Sequence, residues 1–188
     1  VLQDGAGRRE VGVDGDVVVA FLHVEVHADQ HLVLIEDARE SEGAMAVDGR
    51  AEWDTAGMER VLILAGDAVE DLELFYILYR LREAGYEVDV AALSRRTMRT
   101  VVHDVEPDSD AYVEKPGRRV EPDLAFSEVD PERYAGVVIP GGRAPEYIRL
   151  NERVLEIVRH FAFAGKPIAA ICHAAQVLVA AGVVQGKT

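Results

Sequence analysis

From residue 58 onward, short apolar runs alternate with amphipathic stretches along the chain. This alternation is typical of βα units built around a parallel sheet. The apolar runs are continuous rather than alternating with polar residues, so we predict strands that are buried on both faces. The predicted strands are Val61 to Ala65, Val88 to Leu93, Val137 to Pro140 and Pro167 to Cys172.

The stretches between and after these runs predict helices. The first extends over residues 71–84, with apolar positions at helical spacing on one face. Asn151 is placed to cap a second helix, which extends to Ala164. The third begins at His173 and is apolar nearly all round, so we expect it to be buried. Together these elements predict an α/β domain.

Two regions lack this pattern. Residues 95–128 have weak periodicity and many Pro, Gly, Asp and Ser residues, so we predict an excursion from the sheet, which we place on the surface. Residues 1–57 form an N-terminal extension of unknown role, in which 17–26 and 31–35 resemble a β-hairpin. We therefore divide the chain into this extension and an α/β domain over residues 58–188.

Length and apolar content agree with one domain. The chain has 188 residues, of which 49% are apolar, enough for one core plus some extra sequence. No apolar stretch approaches the roughly 20 residues that span a bilayer, and no signal peptide is evident at the N-terminus. A soluble, cytoplasmic protein without a membrane partner is expected.

The chain is acidic, with a net charge of -14. Residues 1–57 hold 13 Asp and Glu against 4 Lys and Arg, so the extension is the more acidic part. Proteins that bind nucleic acid draw much of their affinity from clustered Lys and Arg. The composition therefore argues against a nucleic-acid partner.

Cys172 is the only cysteine, which excludes an intramolecular disulfide and a cysteine-rich metal site. It stands where a buried strand turns into a helix, so its sulfur would meet unpaired N–H groups and the positive end of the helix dipole. Both effects predict a lowered thiol pKa and a reactive thiolate. Alternatively, Cys172 is an inert core residue, as free cysteines often are.

Two other loops meet Cys172 at the carboxyl edge of the predicted sheet, where ligands of such folds bind. One contains Glu70 and the other contains Gly141 and Gly142. The glycines could present backbone N–H groups to an oxyanion, or they could simply form a turn. Glu70 could serve catalysis, or it could be a solvated carboxylate at a helix N-terminus.

Three motifs in order along the chain resemble the PfpI branch of the DJ-1/PfpI family. They are ILAGDAVEDLELFYILYRLREAGYEV, VVIPGGRAPEYIRLNERV and AICHAAQVLVAAGVVQGK, and they cover most of residues 59–188. The segment AYVEKPG is similar to plant glyoxalase-like members of the family. The resemblance implies a flavodoxin-like three-layer sandwich with a parallel central sheet.

The resemblance also implies roles for individual residues. Cys172 would be the nucleophile, with Glu70 hydrogen-bonded to its sulfur. The backbone N–H groups of Gly142 and His173 would form an oxyanion hole. His173 would itself be catalytic, and Glu146 would reach it from a neighbouring subunit. A homo-oligomer, as a dimer, trimer or hexamer, would then complete the site.

The chain departs from the family in two places. Ala174 and Ala175 follow the Cys-His pair, where the family usually has Gly-Pro or Gly-Gln. The sequence ends at Thr188, where family members continue, so we expect a C-terminally incomplete domain with an open sheet edge. Either the chain is a fragment, or residues 1–57 cover the open edge of the sheet.

These observations lead to one leading function and two alternatives. The first is a glyoxalase-type or deglycase-type enzyme that needs no cofactor and acts on 2-oxoaldehydes or glycated adducts. A carboxyl group near a thiolate should have its pKa raised, so Glu70 could move protons near neutral pH. The alternatives are a cysteine peptidase or amidase, and a non-enzymatic chaperone or redox sensor.

A metal site at His23, Glu25, His27 and His31 is conceivable but discounted. The polar, solvent-facing side of a hairpin explains the same alternation of residues.

Overall fold

The structure of the protein is a computed structural model. It describes residues 59–107 and 110–185, together with the backbone of 19–21. Most of the predicted N-terminal hairpin, and the histidines considered as metal ligands there, lie outside the described residues. Within the described part of the chain, no helix is both long and apolar enough to cross a bilayer.

Six parallel strands form the central sheet, in the order β1-β8-β7-β2-β3-β6. They are β1 (Val19–Phe21), β2 (Arg60–Leu64), β3 (Glu87–Ala92), β6 (Leu124–Ala125), β7 (Gly136–Ile139) and β8 (Ile168–Ala170). All four predicted strands are confirmed. The carboxyl ends of parallel strands lie at one edge, so their loops can share a site.

The N-terminal segment contributes β1, which pairs in parallel with β8. Val19 lies opposite Ile168, and Phe21 lies opposite Ala170. The described three residues therefore belong to the main parallel sheet, where they cover the edge that β8 would otherwise expose.

Helices pack on both faces of the sheet. They are α1 (Asp71–Glu83), α2 (Ala144–Ile148), α3 (Glu152–Phe163) and α4 (Ala175–Ala181). Successive residues of β2 point to opposite faces, so Ile63 packs with Leu74 of α1 while Leu62 packs with Phe161 of α3. The predicted α/β sandwich of three layers is confirmed.

The helix boundaries follow capping chemistry. The Asn151 side chain accepts hydrogen bonds from the backbone N–H groups of Arg153 and Val154 at 3.0 and 3.3 Å, as its residue type predicts. Gly165, with φ +64°, follows α3. The short helix α2 was not predicted, because its five residues are too few to show a helical period.

The predicted excursion from the sheet is an antiparallel hairpin, formed by β4 (Met98–Val105) and β5 (Tyr112–Val120), which make a separate two-stranded sheet. The excursion was predicted, but its two strands were not. In this hairpin only Met98 and Thr100 are buried, so little apolar alternation marks the strands.

The buried carboxylate of Asp71 connects this hairpin to α1 by hydrogen bonds. Asp71 Oδ1 accepts hydrogen bonds from Thr100 Oγ1 at 2.5 Å and from the Arg118 backbone N–H at 3.2 Å. The Arg118 side chain also pairs with Asp71. The Val101 N–H donates to the carbonyl of Val69 at 2.9 Å. The hairpin therefore lies over the loop between β2 and α1, beside the predicted site.

Candidate active site

Three loops converge at the carboxyl edge of the sheet, as the topology predicts. Val69 and Gly142 form a backbone bridge between the β2–α1 and β7–α2 loops. The Arg143 N–H donates to the carbonyl of Ala68 at 2.8 Å, which connects the same two loops. The Ile171 N–H donates to the carbonyl of Ile139 at 3.1 Å and aligns the β8 turn with them.

Cys172 occupies a sharp elbow between β8 and a single 3₁₀ turn that leads into α4. Its φ is +55°, a left-handed conformation that is unusual for a residue with a side chain. Its neighbours Ile171 and Ala174 are buried, whereas Cys172 itself is exposed. The elbow therefore lifts the thiol out of the core, and the inert core interpretation does not apply.

The backbone N–H groups of Gly142 and His173 both act to lower the pKa of the Cys172 thiol. Gly142 has φ +71°, which turns its N–H toward the neighbouring strand end. The structure thus brings together the two N–H groups that were assigned to an oxyanion hole. Donors that already stabilise a thiolate are placed to stabilise negative charge on an adjacent oxygen.

The net pKa of the Cys172 thiol is nevertheless raised, because surrounding protein removes water from it and Glu73 adds negative charge. The prediction of a lowered thiol pKa was wrong. The Gly142 and His173 N–H groups act to lower the thiol pKa, but desolvation and the negative charge of Glu73 outweigh them. The thiol therefore needs a base or a bound substrate to favour its ionised form.

Glu73 is the carboxyl group closest to this chemistry. Its Oε2 accepts a hydrogen bond from the Gly141 N–H at 2.6 Å. A Cβ built on Gly141 would lie 2.6 Å from Glu73 Oε2 and 2.7 Å from the Cys172 Cβ, so these two side chains flank the same glycine. Glu73 also affects the thiol pKa more than Glu70 does.

Glu70, which the sequence assigned to the thiol, is engaged elsewhere. Its Oε2 accepts from the Glu73 N–H at 2.8 Å as the N-cap of α1, and its Oε1 accepts from the His103 N–H at 3.4 Å. We therefore correct the assignment: Glu73 is the carboxyl group beside Cys172, and Glu70 holds the helix turn that carries it. Glu73 follows Glu70 by three residues, so helical spacing was the signal that could have identified it.

Burial raises the pKa of Glu73, and the negative charge of Glu70 adds to that effect. The Gly141 N–H bond and the rings of His103 and His173 act in the opposite direction. A carboxyl group with a raised pKa can both donate and accept a proton closer to neutral pH. Glu73 therefore has the property that the sequence analysis expected of Glu70.

His173 and Glu146 lie together on the other side of the thiol. His173 Nδ1 is 3.1 Å from the carbonyl oxygen of Gly142 and 3.9 Å from Glu146 Oε1. A carbonyl oxygen only accepts, so Nδ1 is the donor in this hydrogen bond. Glu146 of the same chain therefore lies within ion-pairing distance of His173, and the contact from a neighbouring subunit stays a prediction. The predicted oligomer stays a prediction.

The geometry of Gly142 gives a testable stability effect. A Cβ at this position would overlap the carbonyl oxygen of Ala68 and the backbone nitrogen of Glu70, besides straining φ. We expect Gly142→Ala to lower the free energy of unfolding by at least about 2 kcal/mol in urea denaturation. Gly165→Ala is the matched control, because Gly165 also has positive φ but no atom within 4 Å of a built Cβ. Equal losses in the two variants would contradict the overlap.

The parallel sheet and the cysteine elbow, with glycine N–H groups and a carboxyl group around the sulfur, define a class of cysteine-centred α/β proteins. The chain belongs to the DJ-1/PfpI family, whose sequence profile matches residues 59–188.

Two curated relatives and one solved structure are similar to the chain. A deglycase of Thermococcus kodakarensis is 44% identical over 128 residues, which are 68% of this chain and 69% of that protein. Deglycase PfpI of Pyrococcus furiosus is 40% identical over 128 residues, with the same shares. The structure of oxidised Toxoplasma gondii DJ-1 has a TM-score of 0.56 and 31% identity, and the match covers 68% of this chain and 64% of that one. The flavodoxin-like fold is thereby confirmed.

Proposed function

We propose that the protein is a cysteine-dependent enzyme of the glyoxalase or deglycase type, acting on 2-oxoaldehydes or on their adducts with amines and thiols. One observation carries this proposal: Glu73 Oε2 and the Cys172 Cβ flank Gly141, and the Gly142 and His173 N–H groups lower the pKa of the Cys172 thiol at the same sheet edge. Relatives named deglycases support the same class of activity.

The reaction begins when the Cys172 sulfur adds to the aldehyde carbon of the substrate and the thiol gives up its proton. The oxygen of that carbonyl becomes negative, the Gly142 and His173 N–H groups stabilise it, and it takes up the proton that the thiol released. The product of this step is a hemithioacetal. Both N–H groups already lower the pKa of the Cys172 thiol, which supports their role in stabilising charge beside it.

Glu73 then moves a proton between adjacent carbons. Its carboxylate takes the proton from the former aldehyde carbon, and the resulting enediol receives a proton on the neighbouring carbon. This converts the hemithioacetal into a thioester of a 2-hydroxy acid without any external oxidant. Water cleaves the thioester, which releases the hydroxy acid and restores the thiol. With a hemiaminal adduct of the aldehyde, the Cys172 sulfur would displace the amine: the C–S bond forms as the C–N bond breaks, and the amine leaves with the thiol proton. The resulting hemithioacetal then reacts as above.

The arrangement of His173 favours a second candidate, a cysteine peptidase or amidase. Gly142 and Glu146 hold the Nδ1 side of the ring, and Nε2 would act as the base. The redox-sensor alternative has less support, because oxidation follows thiolate character and the pKa of the Cys172 thiol is raised.

Purified protein incubated with methylglyoxal separates these candidates. We expect lactate to form in proportion to enzyme and time, with no cofactor added. A second reaction, on preformed amine adducts with free aldehyde monitored in parallel, distinguishes direct deglycation from removal of free aldehyde. Hydrolysis of peptide amides without lactate formation would reject the proposal in favour of the peptidase.

A further inference from the structure

The β4–β5 hairpin has one strand edge that is left uncovered. On the β4 side, the edge is occupied by the β2–α1 loop, where the Val101 N–H donates to the carbonyl of Val69 at 2.9 Å. In the described part of the chain β5 pairs only with β4, and the two strands form a sheet of their own. The far edge of β5 therefore offers unpaired backbone groups to another strand.

The register shows which backbone groups face this edge. The Val101 N–H points away from β5, so Val101 and Pro116 form a non-hydrogen-bonded pair, as do His103 and Glu114 two residues further on. In such pairs the N–H and C=O groups of both residues point away from the partner strand. By the same alternation, the open edge carries the N–H groups of Tyr112 and Glu114 and the carbonyls of Tyr112, Glu114 and Pro116. Pro116 is tolerated here because its missing N–H would not have bonded β4.

The exposure of these residues agrees with an open edge near the active site. Glu114 is an exposed residue although its side chain is only 29% exposed, so its backbone accounts for much of the exposed area. Tyr112 stacks on His103, which places Tyr112 and Glu114 on one face of the hairpin. That face is directed to the active site, since Glu114 Oε2 lies 3.6 Å from the side chain of Arg143. A strand added to β5 would pass close to the rim of the site.

Charge indicates which kind of strand fits. Residues 104–115 carry five carboxyl groups and one lysine, and Lys115 is already paired with Asp104 at 2.5 Å and with Glu106 at 3.6 Å. A residue of an added strand directly opposite Glu114 would hydrogen-bond its backbone and place its own side chain on the same face. Arg or Lys at that position would pair with the Glu114 carboxylate and lie near the ring of Tyr112.

A second copy of β5 is a poorer occupant of the edge. Antiparallel self-pairing centred on Glu114 would place this carboxylate directly opposite its copy, and like charges in that position are destabilising. It would also place Pro116 opposite Tyr112, where the missing N–H removes a hydrogen bond on each side of the centre.

We propose that the open edge of β5 is a docking site for an extended, basic peptide segment, which binds as a third strand of the hairpin sheet. The main chain of the segment supplies the hydrogen bonds, and its basic side chains select Glu114 and Tyr112. Binding in this manner does not depend on the proposed function. That the bound segment carries an aldehyde adduct to Cys172 rests on the proposed function.

Fluorescence anisotropy with a labelled peptide that alternates Arg and Val tests the docking site at physiological ionic strength. We expect this peptide to bind, and the same peptide with Glu in place of Arg not to bind. In the predicted register, the Arg residues lie opposite Glu114 and bond the edge, while the Val N–H groups face outward. N-methylation of the Arg residues should therefore weaken binding by at least about tenfold, and N-methylation of the Val residues should leave it nearly unchanged.

Two variants of the protein separate backbone pairing from charge. Glu114→Gln keeps the N–H and should weaken binding by about twofold to fivefold, whereas Glu114→Pro also removes the N–H and should weaken it by at least about tenfold. Glu106→Gln is the matched control, because it removes the same charge from the hairpin outside β5 and should leave affinity nearly unchanged. If Glu114→Pro does not fold, the N-methylated peptides decide.

Amide hydrogen exchange provides the second measurement. On saturation with the Arg–Val peptide, exchange at Glu114 and Tyr112 should slow by at least about tenfold, while Val113 and Lys115, already bonded to β4, stay unchanged. Equal binding of both N-methylated peptides, or unchanged exchange at Glu114, would overturn the inference. So would protection of Glu114 that rises with protein concentration in the absence of peptide, because a second copy would then occupy the edge.

Turnover distinguishes this inference from the proposed function. An Arg–Val peptide that carries a methylglyoxal adduct should release lactate at lower concentration than the matching adduct of free arginine, and Glu114→Pro should remove this difference. Strand-like binding without any lactate formation would reject the proposed function and leave the docking site standing.

Discussion

Cys172→Ala is expected to lower kcat/KM for methylglyoxal by at least about 1,000-fold. The chain contains no other cysteine that could replace the thiol. The substitution shortens the side chain at an exposed elbow and leaves the Gly142 and His173 N–H groups in place. Lactate formation measures the loss, and an unchanged thermal unfolding transition shows that the fold is preserved.

Cys172→Ser is the matched variant. It keeps a hydrogen-bonding side chain at the same φ, but a hydroxyl is far harder to ionise than a thiol and is a weaker nucleophile. We expect it to be as inactive as Cys172→Ala. If either folded variant retained more than about a tenth of the activity, a covalent role for Cys172 would be wrong.

Most of the fold could be predicted from sequence because its signals are local. The strand Val61 to Ala65 is a continuous apolar run, and the helix after Asn151 has both a cap and an apolar stripe. The elbow at Cys172 could be predicted for the same reason, since it lies at the junction of a buried strand and an apolar helix.

Other features depend on non-local contacts. The β4–β5 hairpin is held by Asp71 and Thr100, which are distant in sequence, and its exposed strands show little hydrophobic pattern. Its two strands were therefore not predicted. The raised pKa of the Cys172 thiol depends on partial desolvation and on the negative charge of Glu73. A sequence reveals the start of a helix, but how much water is removed from one thiol depends on the tertiary structure.

The assignment of the carboxyl group failed for a related reason. Glu70 and Glu73 are three residues apart, and both lie at the start of α1. A glutamate at the start of a helix can face the active site. It can also cap the helix by accepting a hydrogen bond from one of the unpaired backbone N–H groups. Glu70 is the N-cap, and the first turn of the helix presents Glu73 to the Gly141 N–H. Sequence position alone does not distinguish these two uses.

Glu73→Gln is expected to lower kcat for methylglyoxal by about 100-fold to 10,000-fold. The amide still offers an oxygen to the Gly141 N–H, so the geometry persists, but it cannot take a proton from carbon. Because a Glu73 charge raises the thiol pKa, its removal lowers that pKa. Alkylation of Cys172 by iodoacetamide should therefore be at least as fast as in the unmodified protein.

Glu70→Gln separates the structural assignment from the one made on sequence. An amide oxygen can still cap α1 through the Glu73 N–H, so we expect most of the activity to remain.

Glu70→Ala removes the cap and should lower the free energy of unfolding by about 1 kcal/mol, measured in urea. Collapse of kcat in Glu70→Gln, with near-normal kcat in Glu73→Gln, would reverse the assignment. If kcat fell by a comparable factor in Glu70→Gln and Glu73→Gln, both carboxyl groups would be required for proton transfer, and they would act as one unit.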